Sequence, residues 1–381
     1  MIHIITRCLI TILIFLFAQV CHAQKKFTTL IRFPESLDAN KIHIEYDDGK
    51  GVYTVYNPLF KNELTFSGTF FSKYATLEIR FDKTPMSFHA NKYLLKEGNS
   101  TLVFSECRKG DTMAYPFDSC KLSNAIEIRK LPASKKMDLF TAKEQLEFQE
   151  YCDKTTEDPS DSLYKILNVK SDNLLKKQIA FVKQHNNTYY SLWLFRQNFL
   201  YPYSVQHHYE ELTKVFTSFP AGFRNSFEGK EILKRMYGGM YAKKGFPAQD
   251  FTVKDNSGSS IKLSNYKGKY VLLQFWGSRC GPCVAEMPDI KKIRDTYSTD
   301  ELEVISFTTD KDSADYSRAV VKYNMTWHNI FDGGYVCSLY GINAIPSLYL
   351  VNKKGIIVYS RLEDYDGDLK KLKDLLSKLI K

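Results

Sequence analysis

No stretch of this sequence repeats another and no tract is of low complexity, so a repeat array or a disordered linker is excluded as the bulk of the chain. Long hydrophobic runs are scarce too. The one at the N-terminus, from Cys8 to Ala18, is well short of the ~20 residues that span a bilayer. The 53 Lys and Arg exceed the 43 Asp and Glu to leave a formal charge of +10, yet no basic block gathers that excess. Such a chain has a solvated basic surface, attracted at most to anionic membrane faces as a peripheral association, and no nucleic-acid site is expected. Zinc-type spacing is missing as well. A single C-x-x-C occurs, with no second pair and no His pair near it, so no metal and no cofactor is expected there.

What is present begins with an export signal. MIHIITRCLITILIFLFAQVCHAQKK carries one cation at Arg7, an apolar stretch, and small residues before a cleavage point near Ala23. Residues 1–23 read as a cleaved signal peptide, with Gln24 as the mature N-terminus and a net charge of +9 once Arg7 is gone. An uncleaved anchor is the alternative, disfavoured by the length of the run. Gln-Val before Cys21 is a poor site for lipidation. The mature chain is expected in the periplasm or another extracytoplasmic, oxidising space.

The 381 residues, 44% of them hydrophobic, suffice for two or three packed domains. From residue 24 to 132, runs such as KIHIEY, VYTVY and ATLEIRF alternate with period two between Gly, Asn and Asp turns, which predicts an all-β antiparallel sandwich or small barrel. No catalytic constellation is visible there. From 133 to 245, segments such as LFTAKEQLEFQEYC and YYSLWLFRQNFL carry apolar residues at three and four spacing and predict amphipathic helices. His207 and His208 are adjacent there, and adjacent helical residues point about 100° apart, so they read as a polar helix face. From 246 to 381, a hairpin over FTVKDNSGSSIKLSNYKGK leads into YVLLQFW, and strands and helices then alternate, which predicts an α/β sheet covered on both faces.

The cysteine pair falls where the first long strand of that sheet turns into a helix. In Cys280-Gly281-Pro282-Cys283 the first sulfur meets the unpaired N–H groups and positive dipole end of a helix N-terminus, which stabilise a thiolate. Pro282 has a fixed φ and no N–H to leave unpaired in the first turn. Cys283, further into the helix, can attack a mixed disulfide on Cys280 and release the partner. A structural disulfide is a poor alternative because so short a loop constrains little of the unfolded chain.

FWGSRCGPCVAEMP, the upstream GFPAQDFTVKDNSG...LSNYKGK and the downstream YGINAIPSLYLVNKKGIIV together resemble the TlpA-like branch of the thioredoxin superfamily, which includes extracytoplasmic thiol-disulfide reductases. The resemblance covers roughly residues 246 to 381, and the β-rich and helical segments ahead of it resemble multi-domain members. It implies a thioredoxin-like C-terminal domain with Cys280 as nucleophile and Cys283 as resolving thiol. Trp276 would flank the site, and Pro346 would be the cis-proline packed against the sulfurs. Glu286, one helical turn after Cys283, is the candidate proton acceptor for it; a solvated surface charge is the alternative.

Two departures matter. Gln274 stands where thioredoxins carry a buried Asp, so the base role falls to Glu286. Arg279 replaces an aromatic residue, and its cation should favour the Cys280 thiolate, weakly if exposed. Ile345 before Pro346 matches the reducing members and tilts the direction toward reduction of protein disulfides. A reductant in an oxidising space needs a donor, expected to be a membrane thiol relay, besides its protein disulfide or thiol clients. A thiol oxidase, a disulfide isomerase or a non-catalytic docking module stay open as alternatives. Cys107 and Cys120 could close a disulfide loop or remain buried thiols, and neither Cys152 nor Cys337 has an assigned part.

Overall fold

Nine strands precede the first α-helix among the described residues: β1 (Lys25–Arg32), β2 (Ile42–Asp47), β3 (Val52–Thr54), β4 (Glu63–Phe70), β5 (Ala75–Thr84), β6 (Ser87–Leu95), β7 (Gly98–Phe104), β8 (Cys120–Ser123) and β9 (Ala125–Glu127). They form two sheets, ordered β4-β1-β7-β8 and β3-β2-β5-β6-β9. The computed structural model describes residues 24–35, 37–55, 62–84, 87–105, 120–157, 160–310, 312–331, 333–342, 344–364 and 366–380. The export signal read over residues 1–23 and the thiol of Cys107 lie outside them. No helix among the described residues is long and apolar enough to cross a membrane.

Period-two alternation works as expected in these strands. Phe27, Thr29 and Ile31 of β1 and Ser100, Leu102 and Phe104 of β7 face inward, and Phe27, Ile31 and Leu102 share one core with Ile44, Leu77 and Tyr93 of the other sheet. The result is a sandwich rather than a barrel. One pairing departs from the antiparallel expectation: β1 runs parallel to β7, Phe27 opposite Gly98. Alternation reports which face a residue takes and carries nothing about the direction of the neighbouring strand.

The helical segment comprises α1 (Pro132–Glu157), α2 (Asp161–Gln184), α3 (Tyr189–Asn198), α4 (Pro202–Ser218), α5 (Ala221–Arg224) and α6 (Phe227–Tyr241). Ser160, Thr188 and Ser226 cap α2, α3 and α6 by accepting backbone N–H groups of the first turn. The helical core of Phe195, Phe199, Phe216 and Phe219 includes Leu94 of β6, so sheet and helices share one apolar cluster. The polar-face reading of His208 needs correction: α4 kinks at His208, and its Nε2 meets Asp172 Oδ1 of α2 at 2.8 Å. A hydrogen-bonding neighbour on another helix is invisible to spacing within one helix.

Polar contacts join helices and sandwich. Arg196 of α3 makes two contacts of 2.9 Å to the Asp47 carboxylate and a third, at 3.1 Å, to the Gly49 carbonyl. Burial acts to raise the Asp47 carboxyl, and the Arg196 guanidinium outweighs it and holds the group below the usual range. This pair orients the β2–β3 turn, whose sharp bend uses Gly49 at φ +99°.

The C-terminal part adds β10 (Thr252–Lys254), β11 (Ser260–Lys262), β12 (Tyr270–Trp276), α7 (Gly281–Thr296), β13 (Leu302–Thr308), α8 (Ser313–Lys322), β14 (His328–Ile330), α9 (Gly334–Leu339), β15 (Ser347–Val351), β16 (Ile357–Ser360), α10 (Arg361–Asp364) and α11 (Lys370–Leu379). Its five-stranded sheet is ordered β14-β13-β12-β15-β16, with β12, β13 and β14 parallel and β15 and β16 antiparallel, a thioredoxin-like fold. β12 is buried along its whole length. It sends Tyr270, Leu272 and Trp276 to one core and Val271, Leu273 and Phe275 to the other, which is why its sequence is nearly unbroken in apolar residues. The short β14 is absent from the sequence reading because three residues are too few for a period.

A glycine contact docks the helical segment onto this part. A Cβ on Gly238 of α6 would lie 2.4 Å from the Leu339 carbonyl oxygen and 2.5 Å from Gly341 N, backbone against backbone, just ahead of the loop that reaches Pro346. Gly238→Val is therefore expected to force α6 and α9 apart and to destabilise the chain by about 1–3 kcal/mol. A lowered melting temperature with faster proteolysis near residues 242–245 would show it, while Gly222→Ala, which meets nothing within 4 Å, serves as the neutral control.

Candidate active site

Cys280 and Cys283 are joined by a disulfide at the start of α7. Cys280 is the N-cap, in extended backbone conformation, and its Sγ accepts the Cys283 N–H at 3.2 Å, while Pro282 occupies the first turn. The two sulfurs differ in access: Cys280 is half-buried and Cys283 fully buried. Burial disfavours a thiolate and the helix N-terminus favours one, so the more accessible Cys280 sulfur lies in the setting that better suits a thiolate. The sulfur of Cys280 also lies 3.8 Å from the Ile345 carbonyl oxygen, and the Ile345–Pro346 peptide is cis.

Trp276 is fully buried, in the cluster that holds Cys283 and against which Cys280 packs. Its carbonyl accepts the Thr309 N–H at 2.9 Å, which ties the end of β12 to the loop after β13. Gln274 lies deeper on the same face. Trp327 Nε1 donates to Ser306 Oγ at 2.6 Å, and Ser306 Oγ donates in turn to Gln274 Oε1 at 2.6 Å. This neutral chain of hydrogen bonds fills the place of a buried carboxylate and cannot accept a proton at ordinary pH.

Glu286 is buried, 7% exposed, which disposes of the solvated alternative. Arg361 Nη1 donates to its Oε2, and Oε1 is buried with no hydrogen-bond partner among the described residues. Burial pushes the Glu286 carboxyl above its ordinary value, and Arg361 pulls it part of the way back. Arg361 went unnoticed in the sequence because it is 75 residues from Glu286, at the far edge of the sheet, with no local pattern to mark it. Arg279 is already engaged: its Nε donates to Asp315 Oδ2 at 2.7 Å, and Asp315 is held below the usual carboxylate range by that hydrogen bond. Little of its charge is left for the Cys280 thiolate.

Asp310 is a second residue that sequence reasoning missed. Both its oxygens accept the Ser278 N–H, at 3.0 and 2.9 Å, fixing the turn before Cys280. The available signal was its position just past β13, since sites of parallel sheets lie beyond the carboxyl ends of the strands. Cys337 is buried on α9 and lines a cavity with Ile345, near the site but not shown in contact with either active-site sulfur. Burial pushes the Cys120 thiol up to about 12, and its pairing with Cys107 falls on a residue outside the described ones.

One accessible and one buried sulfur at a helix start beside a cis-proline, on this sheet order, make a thioredoxin-like dithiol–disulfide exchange site. The redoxin family model matches residues 243–376. Thiol-disulfide oxidoreductase ResA of Halalkalibacterium halodurans is 35% identical over 118 residues, 31% of this chain and 67% of the relative. ResA of Bacillus anthracis is 31% identical over 148 residues, 36% of this chain and 86% of the relative. Among solved structures, the thioredoxin domain of a thiol-disulfide oxidoreductase from Bacteroides vulgatus is 27% identical, covering 35% of this chain and 97% of its own, with a TM-score of 0.32. The chain belongs to the thiol-disulfide oxidoreductases of the redoxin family, through its C-terminal part.

Proposed function

We propose that the protein is an exported reductant of protein disulfides. The observation that carries this reading is the unequal access of the two sulfurs. In the dithiol form the Cys280 thiolate attacks a client disulfide; a bond forms between Cys280 and one client sulfur, and the other leaves as a thiolate that takes a proton. Cys283 then gives its proton to Glu286 and attacks Cys280, which closes the Cys280–Cys283 disulfide and releases the second client thiol. Two electrons pass from the dithiol to the client. A thiol donor, proposed to be a membrane relay, must return them. Trp276 and Pro346 are proposed to hold the floor and the lip of the site. Export rests on the signal-like residues 1–23, and the reductive direction on Ile345 ahead of Pro346.

A redox titration of the mature chain tests the direction. A midpoint near the about −270 mV of thioredoxin supports a reductant, whereas one near the about −120 mV of a strong periplasmic oxidant would make the protein an oxidase.

A further inference from the structure

The sandwich supplies one wall of the space over Cys280. A cleft of ≈ 670 Å³ is lined by Glu45, Val52 and Thr54 of the sandwich, by Cys280 and Ile345, and by Asp310, Asp312 and Asp315. A smaller cavity of ≈ 290 Å³ adjoins it, shares Val52, Thr309 and Ile345 with it, and is lined by Arg235 and Cys337. The active-site sulfur is therefore reached through a channel made by two parts of the chain that are far apart in sequence.

The wall opposite the sulfurs is a strand edge. The sheet order places β3 outermost. Across the β2–β3 ladder Val55 N–H donates to Ile44 and Asp48 N–H to Gly51, in a register that pairs Tyr46 with Tyr53. In an antiparallel ladder the hydrogen-bonded pairs alternate, so the peptide groups of Tyr53 turn toward β2 and those of Val52 and Thr54 turn outward. No described backbone group meets them there. Val52 is 53% exposed, and the edge it lies on is held in place by the Arg196–Asp47 pair at the hairpin turn.

The two adjoining cavities differ in charge. At the larger, Arg279 is engaged by Asp315, and Glu45 and Asp312 have no cationic partner among the described residues. At the other, no hydrogen bond or ion pair joins the Arg235 side chain to another described residue. Burial, and then the neighbouring Arg196 cation, push Arg235 below its ordinary value, while Asp47, already paired with Arg196, and Glu231 offset this only in part. Unpaired charges on low-dielectric walls focus the field and select a complementary ligand.

We propose that the client enters as an extended polypeptide that adds a strand to the β3 edge, across from the Ile345–Pro346 loop. It carries a cationic residue on the Asp310–Asp315 side of its cysteine and an anionic group on the Arg235 side. The sandwich is thus the specificity wall of the enzyme, with backbone pairing giving affinity and the charge order giving selection. The inference rests on the reading of Cys280 as the attacking sulfur.

The test uses the reduced mature chain carrying Cys283→Ala and nonapeptides whose central cysteine is capped with thionitrobenzoate. Attack by Cys280 on the peptide sulfur forms the enzyme–peptide disulfide and releases the coloured thiolate, which gives the rate directly. Peptides with Lys before and Glu after the cysteine, the reverse order, and Gln at both places are compared with the small neutral hydroxyethyl disulfide. One charged order is expected to react about tenfold faster than the other and than the neutral peptide. N-methylation of the peptide at alternate backbone nitrogens should remove most of that gain, and Glu45→Lys or Arg235→Gln should erase the preference without slowing hydroxyethyl disulfide. If hydroxyethyl disulfide reacts and all peptides react alike, the inference is wrong and the redox reading stands. If nothing reacts, including hydroxyethyl disulfide, the redox reading fails and takes the inference with it.

Discussion

Cys280→Ser is expected to reduce disulfide exchange to background, a loss on the order of 10³-fold or more, because no other described thiol combines access with a helix N-terminus. Cys337 is buried on α9, and burial holds the Cys120 thiol up to about 12, too high to supply a thiolate near neutrality. Cys283→Ser should behave differently. It keeps the attacking sulfur and the N-cap, so the first half of exchange proceeds, but the resolving attack is missing and mixed disulfides with the client accumulate. Mass spectrometry of the reduced wild type under limiting iodoacetamide should place the fast label on Cys280. Fast label on Cys283, or no thiol-dependent adduct from the Cys283→Ser chain in its native compartment, would reverse the assigned roles or favour a docking module over an enzyme.

Glu286→Gln is the second large effect. With Gln274 locked in a neutral hydrogen-bond chain, the nearest carboxylate to Cys283 along its helix is one turn on, buried, with Oε1 lacking a partner among the described residues. The variant should leave attack by Cys280 intact and slow resolution on the order of 10²-fold. The pH dependence separates a base from a structural prop. A general base works only when ionised, so wild-type resolution should fall as pH drops through the Glu286 value, which burial has raised and Arg361 partly restored. Glu286→Gln should lose that inflection. Arg361→Gln, by removing the cation, should raise the Glu286 value further and move the inflection to higher pH. Stopped-flow kinetics of the two half-reactions across pH would resolve both, and an inflection that stays put in Arg361→Gln would rule out Glu286 as the group that titrates.

The parts of the site that were legible in the sequence are those whose chemistry is local. Cys280, Pro282 and Cys283 lie within four residues, and a helix N-terminus acts on the residues of its own first turn, so spacing alone predicted which sulfur sits at the helix start and which lies deeper. The seven-residue run of β12 announced a strand buried on both faces, and the resemblance to thioredoxins implied which carboxylate Gln274 replaces. Period-two alternation likewise reported the inward faces of β1 and β7, because side-chain direction in a strand depends only on position along it.

What tertiary structure decided is everything that depends on which distant segments meet. Glu286 could be read as a buried or a surface carboxylate until Arg361 and the core closed around it. The hydrogen bond of His208 to Asp172, the parallel pairing of β1 with β7, and the backbone contact of Gly238 with residues 339–341 all join residues far apart in the chain, and no one-dimensional period carries that information. The same holds for the cleft. Each of its walls folds for its own reasons, the hairpin edge of β3 through turn chemistry and the sulfur pair through a strand-to-helix junction. Only the docking of sandwich, helices and thioredoxin-like sheet brings a free strand edge over a reactive sulfur, because long-range packing is set by the shapes and charges of whole faces rather than by neighbouring residues.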